Sequence, residues 1–155
     1  MSSHRHSILT ENVITSGFRL NYLANFFVAP VYAEIARRSG LARSEFVVLF
    51  CLHHLGTLTA QDVVAITGRP KNSISQAVTK LIQRGLVEKQ PDASDARRAP
   101  MQLSDTGAAQ YEELIGLFQE RQAQMLSVLS KREQEQFDKL LGKLVLRDDN
   151  WTQLT

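Results

Sequence analysis

Cysteine is almost missing from this chain. The single thiol, Cys51, cannot close an internal disulfide, and its isolation excludes zinc-finger spacings. No apolar run reaches the ~18 residues that a bilayer crossing requires. The opening Met1-Ser2-Ser3-His4-Arg5-His6 is not followed by the apolar stretch and small-residue cleavage site of a signal peptide, so a cytoplasmic location is expected. Catalytic signatures are missing as well: there is no phosphate loop, nucleophile motif or paired-carboxylate arrangement, so the chain reads as no enzyme and calls for no cofactor. Internal repeats and low-complexity linkers are also lacking, which favours one continuous fold. Nor is there a large excess of one charge, since 18 basic and 16 acidic residues leave a net +2.

What is present is a composition able to build a core: 155 residues, 43% of them apolar and 22% charged, enough for one ordinary domain or two small ones. The small net charge is also unevenly spread. Between Arg69 and Arg98 seven basic residues face three acidic ones, a local +4 that leaves −2 on the remainder. A local positive segment on a neutral or acidic scaffold is the electrostatic footprint of a nucleic-acid module.

Periodicity orders the chain into helices. From Thr15 to Arg38, Leu20, Leu23, Phe27 and Val31, with Val28, Tyr32 and Ile35, fall at helical spacing, and Pro30 predicts a kink or break near Val28 to Pro30. Gly40 ends that element, and Ser44-Glu45 opens a second helix to Leu55 whose apolarity on nearly every face marks it as central. Thr59-Ala60-Gln61-Asp62 is a capping box for a short third helix stopped by Gly68. A fourth helix over Lys71 to Arg84 places Ile74, Ala77, Val78, Leu81 and Ile82 on one face and polar residues on the other. Short helix, glycine turn and amphipathic helix form a helix-turn-helix pattern. Gly85 then caps the helix, Leu86 to Gln90 reads as a strand, Pro91 to Ala99 as a hairpin tip and Met101 to Leu103 as the returning strand. Ser104 caps a long helix with Tyr111, Leu114, Ile115, Phe118, Met125 and Leu129 on its apolar face. Ser130-Lys131-Arg132-Glu133 opens another, with a narrow stripe at Phe137, Leu140, Leu141, Leu144 and Val145. The fold class is therefore mainly α with a small β-hairpin wing: a winged helix-turn-helix over 41–103, with dimerisation helices over 11–40 and 104–148. Terminal stripes of this kind need a partner, and a second copy of the chain is the expected one.

A polar helix face beside a basic hairpin suits duplex DNA, since the helix can enter the major groove while the hairpin reaches the backbone or minor groove. The order of parts from Phe18 to about Leu146 resembles the multiple antibiotic resistance regulator (MarR) family of winged helix-turn-helix transcription factors. The most specific portion runs from Thr67-Gly68 through Ser73 to Arg84 and Gly85-Leu86-Val87, to Asp95-Ala96-Arg97-Arg98 and Leu103-Ser104-Asp105-Thr106-Gly107. The resemblance implies a homodimer on a pseudo-palindromic operator, a repressor released by a small aromatic or anionic ligand. By position it implies major-groove contacts from Lys71, Asn72, Ser73, Ser75, Gln76, Thr79 and Lys80. It also implies a wing in which Asp95 orients Arg97, with Arg98 beside it. Pro70 stands where a capping Asp is common in the family, so Asn72 is the substitute cap and would shift the helix start.

Several residues are weighed against plainer roles. His53 and His54 point about 100° apart on a helix, with no Cys or carboxylate at ligand spacing, so no metal site is expected. Cys51 offers a redox-responsive alternative, yet a thiol in so apolar a helix is better read as packing. Tyr22, Phe26, Phe27, Phe46 and Phe50 are first of all core. They also lie on the two helices that line the family's effector pocket, where Arg19, Tyr22, Phe26, Phe50 and His54 form the expected ligand set, with Arg19 or His54 pairing a carboxylate. A winged helix that binds another protein is the remaining alternative, but it would not need the +4 segment.

Overall fold

The computed structural model describes residues 3–90 and 99–147 of the chain. The expected hairpin tip, including Asp95, Arg97 and Arg98, lies outside the described residues, as does residue 148. The order of elements is α1 (Ser3–Thr10), α2 (Thr15–Ser39), α3 (Arg43–Leu55), α4 (Ala60–Thr67), α5 (Lys71–Gln83), β1 (Val87–Lys89), β2 (Met101–Leu103), α6 (Asp105–Leu126) and α7 (Lys131–Val145). This is the mainly helical winged helix-turn-helix architecture that the periodicity predicts.

The helix ends follow their local chemistry. Thr59 Oγ1 accepts from the Asp62 N–H while an Asp62 carboxylate oxygen accepts from the Thr59 N–H at 2.8 Å, the reciprocal capping box that starts α4. Ser130 and Glu133 repeat it at α7. Gly68 stops α4 at φ +63, in the left-handed region open to glycine, and so makes the tight turn into α5. Two starts differ from expectation. At α3 the helix starts at Arg43, one position before the expected Ser44, behind the cap residue Ala42, whose N–H donates to the Glu45 carboxylate at 3.0 Å. At α5 Asn72 does not take over as cap. Pro70 is the cap, its extended ψ of 132 and free carbonyl accepting the first helical bond from Ile74 at 3.2 Å. Lys71 therefore stays inside the first turn.

Residues on both sides of the helix-turn-helix share one core. Ile35 of α2, Val48 and Leu49 of α3, Val63 of α4, Ile74 and Leu81 of α5 and Leu114 of α6 are all fully buried. The wing strands pair antiparallel, Val87 with Leu103 and Lys89 with Met101, and Leu58 adds an isolated bridge to Met101. Phe46 stacks on Tyr111 and Phe118 at ring separations of 5.9 and 5.4 Å, joining α3 to α6. Among the described residues no helix is long and apolar enough to cross a membrane.

Of the kink or break expected near Val28 to Pro30, the break does not occur: α2 is one 25-residue helix through the proline. Pro30 lacks the N–H that would reach the Phe26 carbonyl four residues back. That carbonyl instead accepts from Arg121 Nη2 of α6 at 2.7 Å, so a side chain 95 positions away replaces the missing helical donor. Arg121→Met should lower stability by about 1–2 kcal/mol by leaving this acceptor unmet. Pro30→Ala in the same background supplies the absent N–H and should recover most of the loss. Denaturant melts of the four proteins measure the coupling, and strictly additive losses would contradict it.

The helix α1 was not anticipated by hydrophobic periodicity. It is polar and held to α2 by side chains: Arg19 Nε donates to the Leu9 carbonyl at 2.7 Å, and the Arg5 guanidinium lies 5.2 Å from the Tyr22 ring centroid and 5.8 Å from that of Phe26.

Candidate nucleic-acid interface and ligand cavity

The outer face of α5 is a polar surface on a rigid support. Its inner residues Ile74, Ala77, Val78 and Leu81 are buried, which turns Lys71, Asn72, Ser75, Gln76, Thr79 and Lys80 outward. Ser75, Gln76, Thr79, Lys80 and Gln83 together line a shallow concavity. Gln76 has no competing intramolecular bond among those found for described residues, whereas the Thr79 hydroxyl donates to the Ser75 carbonyl at 3.0 Å. Ser73 stands apart from the other expected contacts: it is half-buried, and its hydroxyl lies 2.6 Å from that of Ser44 on α3.

A cavity of about 730 Å³ opens between α2, α3 and α6, of a size that suits a small organic molecule. Of the expected ligand set, Phe50 and His54 line it. The structure does not bring Arg19, Tyr22 and Phe26 to it. Arg19 is engaged with the Leu9 carbonyl and borders a different groove, while the tilted rings of Tyr22 and Phe26 meet at 4.4 Å beneath Arg5. The reason is helical geometry: neighbouring positions point about 100° apart, so Phe27 turns into the cavity and Phe26 away from it. Phe27, Tyr32, Phe46, Val47, Ile115 and Phe118 supply the other apolar walls.

The polar end of the cavity is built on α3 and α6. His54 Nε2 lies 2.8 Å from the Tyr111 hydroxyl, and His53 stacks on the Tyr111 ring at 4.1 Å while its Nε2 sits 3.4 Å from a Glu112 carboxylate oxygen. Burial, and to a lesser degree the Glu112 carboxylate, pushes the Tyr111 phenol above its ordinary value, so it stays a neutral O–H at physiological pH. Gln119 and Gln122 add amides to the rim. No Lys or Arg is among the lining residues, so the two histidines are the groups there able to carry positive charge. His53, Tyr111, Glu112 and Phe118 were missed as cavity residues by sequence reasoning. The i, i+1 and i+7 positions of Tyr111, Glu112 and Phe118 on α6 were the available signal.

Cys51 is buried, and desolvation pushes its thiol up, which keeps the reactive thiolate scarce and suits packing. Among the described residues no group of three His, Cys, Asp or Glu side chains is placed to hold a metal ion.

Comparison with known proteins gives concordant matches. The family model described as MarR family matches residues 39–98, a stretch that begins at the end of α2 and includes α3, α4, α5 and β1. The transcriptional repressor NicR of Pseudomonas putida is 26% identical over 120 residues, 77% of this chain and 76% of that protein. Among solved structures, a probable transcriptional regulator from Pseudomonas aeruginosa superposes with a TM-score of 0.69 at 28% identity, covering 88% of this chain and 99% of the other. Bordetella bronchiseptica BpsR, whose DNA binding is regulated by 6-hydroxynicotinic acid, superposes with a TM-score of 0.72 at 25% identity, covering 83% of this chain and 97% of the other.

Proposed function

Since the chain is a winged helix-turn-helix transcriptional regulator of the MarR family, we propose that it acts as a dimeric repressor, released from a pseudo-palindromic operator when a small aromatic ligand fills the cavity between α2, α3 and α6. The observation that carries this reading is the joint layout of α3: it walls the cavity along its length through Phe46, Phe50 and His54, while its N-terminal turn packs on α5 through Ser44 and Ser73. One rigid element thus touches both the ligand space and the helix that faces DNA.

In this reading Ser75, Gln76 and Thr79 face base edges, and Lys71, Asn72 and Lys80 serve the flanking backbone. Arg97 and Arg98 add to the local positive charge that attracts the phosphate backbone. The aromatic walls favour a flat ring. The histidines, the Tyr111 hydroxyl and the glutamines favour ring substituents that exchange hydrogen bonds, and a ligand carboxylate would pair with His53 or His54, not with Arg19. A hydroxylated heteroaromatic acid such as the regulator of BpsR is the first compound to try.

Selection of bound duplexes from a random pool, followed by binding of the selected and random duplexes over a range of salt, tests the DNA half of the proposal. Gln76→Ala should cost about 1–3 kcal/mol on the selected duplex and little on random DNA, and equal losses on both would refute its role in base readout. Calorimetric titration of 6-hydroxynicotinic acid and other aromatic carboxylates into the free protein and the DNA complex tests the ligand half. A ligand that weakens DNA binding tenfold must itself bind the complex tenfold less tightly, a coupling of about 1.4 kcal/mol. Identical affinity for both forms would show that the cavity is not the switch.

A further inference from the structure

The first turn of α3 holds the DNA-facing helix through a buried carboxylate. Glu45 is 4% exposed and is the charged residue in the core among the described residues. One carboxylate oxygen accepts the Ala42 N–H at 3.0 Å; beyond that, its neighbours of opposite charge both come from the end of α5. Lys80 Nζ lies 3.7 Å from Oε1 and Arg84 Nη1 3.8 Å from Oε2. Arg84 is tied down further, since its Nη2 donates to the Ser39 carbonyl at 2.8 Å, and Ser44 meets Ser73 beside this cluster.

A capping role alone does not account for a charge here, because a neutral amide at this position could accept the same N–H. A carboxylate withdrawn from water is unfavourable unless cations compensate it. The compensation comes from a helix whose cations also face outward, Lys80 with its side chain 63% exposed. Lys80, Arg84 and Glu45 together carry +1 where the two cations alone would carry +2. Sequence-independent affinity for DNA follows the cations available to phosphate, whereas discrimination follows the placement of side chains at base edges. Glu45 acts on both quantities in the same direction: it withholds positive charge from phosphate and holds Ser75, Gln76 and Thr79 in one pose.

We propose that Glu45 is a positioning residue that sets the ratio of specific to random DNA binding, by restraining Lys80 of α5 and Arg84, the residue that caps its C-terminus, against the first turn of α3. The proposal rests on the reading of α5 as the DNA-facing helix.

The test uses the full chain, a duplex selected by the wild-type protein and a random-sequence duplex of equal length. Glu45→Gln should bind the random duplex about threefold or more tightly, because the nearby negative charge is gone. Its salt dependence should steepen by about one unit, and its preference for the selected duplex should fall. A residue that merely stabilised the fold would give the opposite sign on random DNA, so lower or unchanged affinity there with an unchanged salt slope would overturn the proposal. If the variant fails to melt cooperatively, two surface substitutions carry the test. Lys71→Gln should reduce the salt slope by about one unit and Lys80→Gln by clearly less, since Lys80 is held by Glu45; equal reductions would overturn the proposal. Failure of the wild-type protein to bind any duplex would instead remove the reading of α5 on which the proposal stands, and the proposal with it.

Discussion

Gly107→Ala should destabilise the chain by about 3 kcal/mol or more, the severe end of what overpacking causes. A Cβ at this position would stand 1.9 Å from the Leu86 carbonyl oxygen, 2.9 Å from its carbon and 3.3 Å from its Cα, all of them backbone atoms. Leu86 has little room to yield. Its N–H donates to the Leu81 carbonyl at 2.9 Å, its own carbonyl accepts from Ser104 N–H at 3.2 Å, and its side chain is 4% exposed. Ser104 closes the junction, donating to the Gly85 carbonyl at 2.7 Å and accepting the Gly107 N–H at 2.9 Å. The substitution therefore pushes the start of α6 away from the turn that links α5 to the wing, and DNA binding should fall together with stability. Gly116→Ala is the control: it lies in the same helix with nothing within 4 Å of its added Cβ. That change should be neutral or stabilising by up to ~1 kcal/mol through helix propensity. Denaturant melts compare the two, and a Gly107→Ala protein within ~0.5 kcal/mol of wild type would contradict the close approach.

That junction was partly legible before any coordinates. Leu103-Ser104-Asp105-Thr106-Gly107 marks a capped helix start following a strand, because Ser104 is a strong cap and the periodicity changes from two to 3.6 there. The same holds for Thr59 with Asp62 and for Ser130 with Glu133, where both halves of the motif lie within four residues. Local chemistry of this kind needs no partner from elsewhere in the chain. What the sequence concealed depends on distant partners. Pro30 signals a kink or break by its own geometry, whereas the helix runs on through it and Arg121, arriving from α6, supplies the donor that the proline withholds from the Phe26 carbonyl. The helix α1 has no apolar stripe to announce it, since Arg19 and Arg5 fasten it to α2. Cavity residues were half-legible for a related reason: aromatic content on α2 and α3 located the two helices, but which of Phe26 and Phe27 faces inward depends on how α2 is rotated against α6. Tyr111 and His54 meet across 57 positions, a contact that no local pattern foretells.

Leu140→Asp combined with Leu144→Asp should convert a dimer into a monomer or an aggregate at micromolar concentration. The stripe on α7 has the spacing of a packed helix, yet none of its residues is buried within one chain, and Leu140 and Leu144 remain 52% and 48% exposed. They face Leu20 and Leu23 of α2, themselves 44% and 38% exposed, across an apolar groove of about 320 Å³. An apolar surface of this extent, formed by helices from both ends of the chain, favours association with a second copy. Full burial of a leucine contributes about 1.5–3 kcal/mol, so covering the exposed half of two leucines on each of two protomers comes to ~4 kcal/mol, or about a thousandfold in the dimer constant. Replacing them with carboxylates adds a desolvation cost in the same direction. Sedimentation of wild type and variant measures the outcome, and a wild-type chain that sediments as a monomer at micromolar concentration would contradict the dimer outright. DNA binding supplies an independent reading of the same change. In the proposed mode of binding a dimer would place two copies of α5 on half-sites about 34 Å apart, whereas a folded monomer could occupy only one. The variant should therefore lose preference for a two-half-site duplex over a single half-site, even if each α5 still contacts its groove.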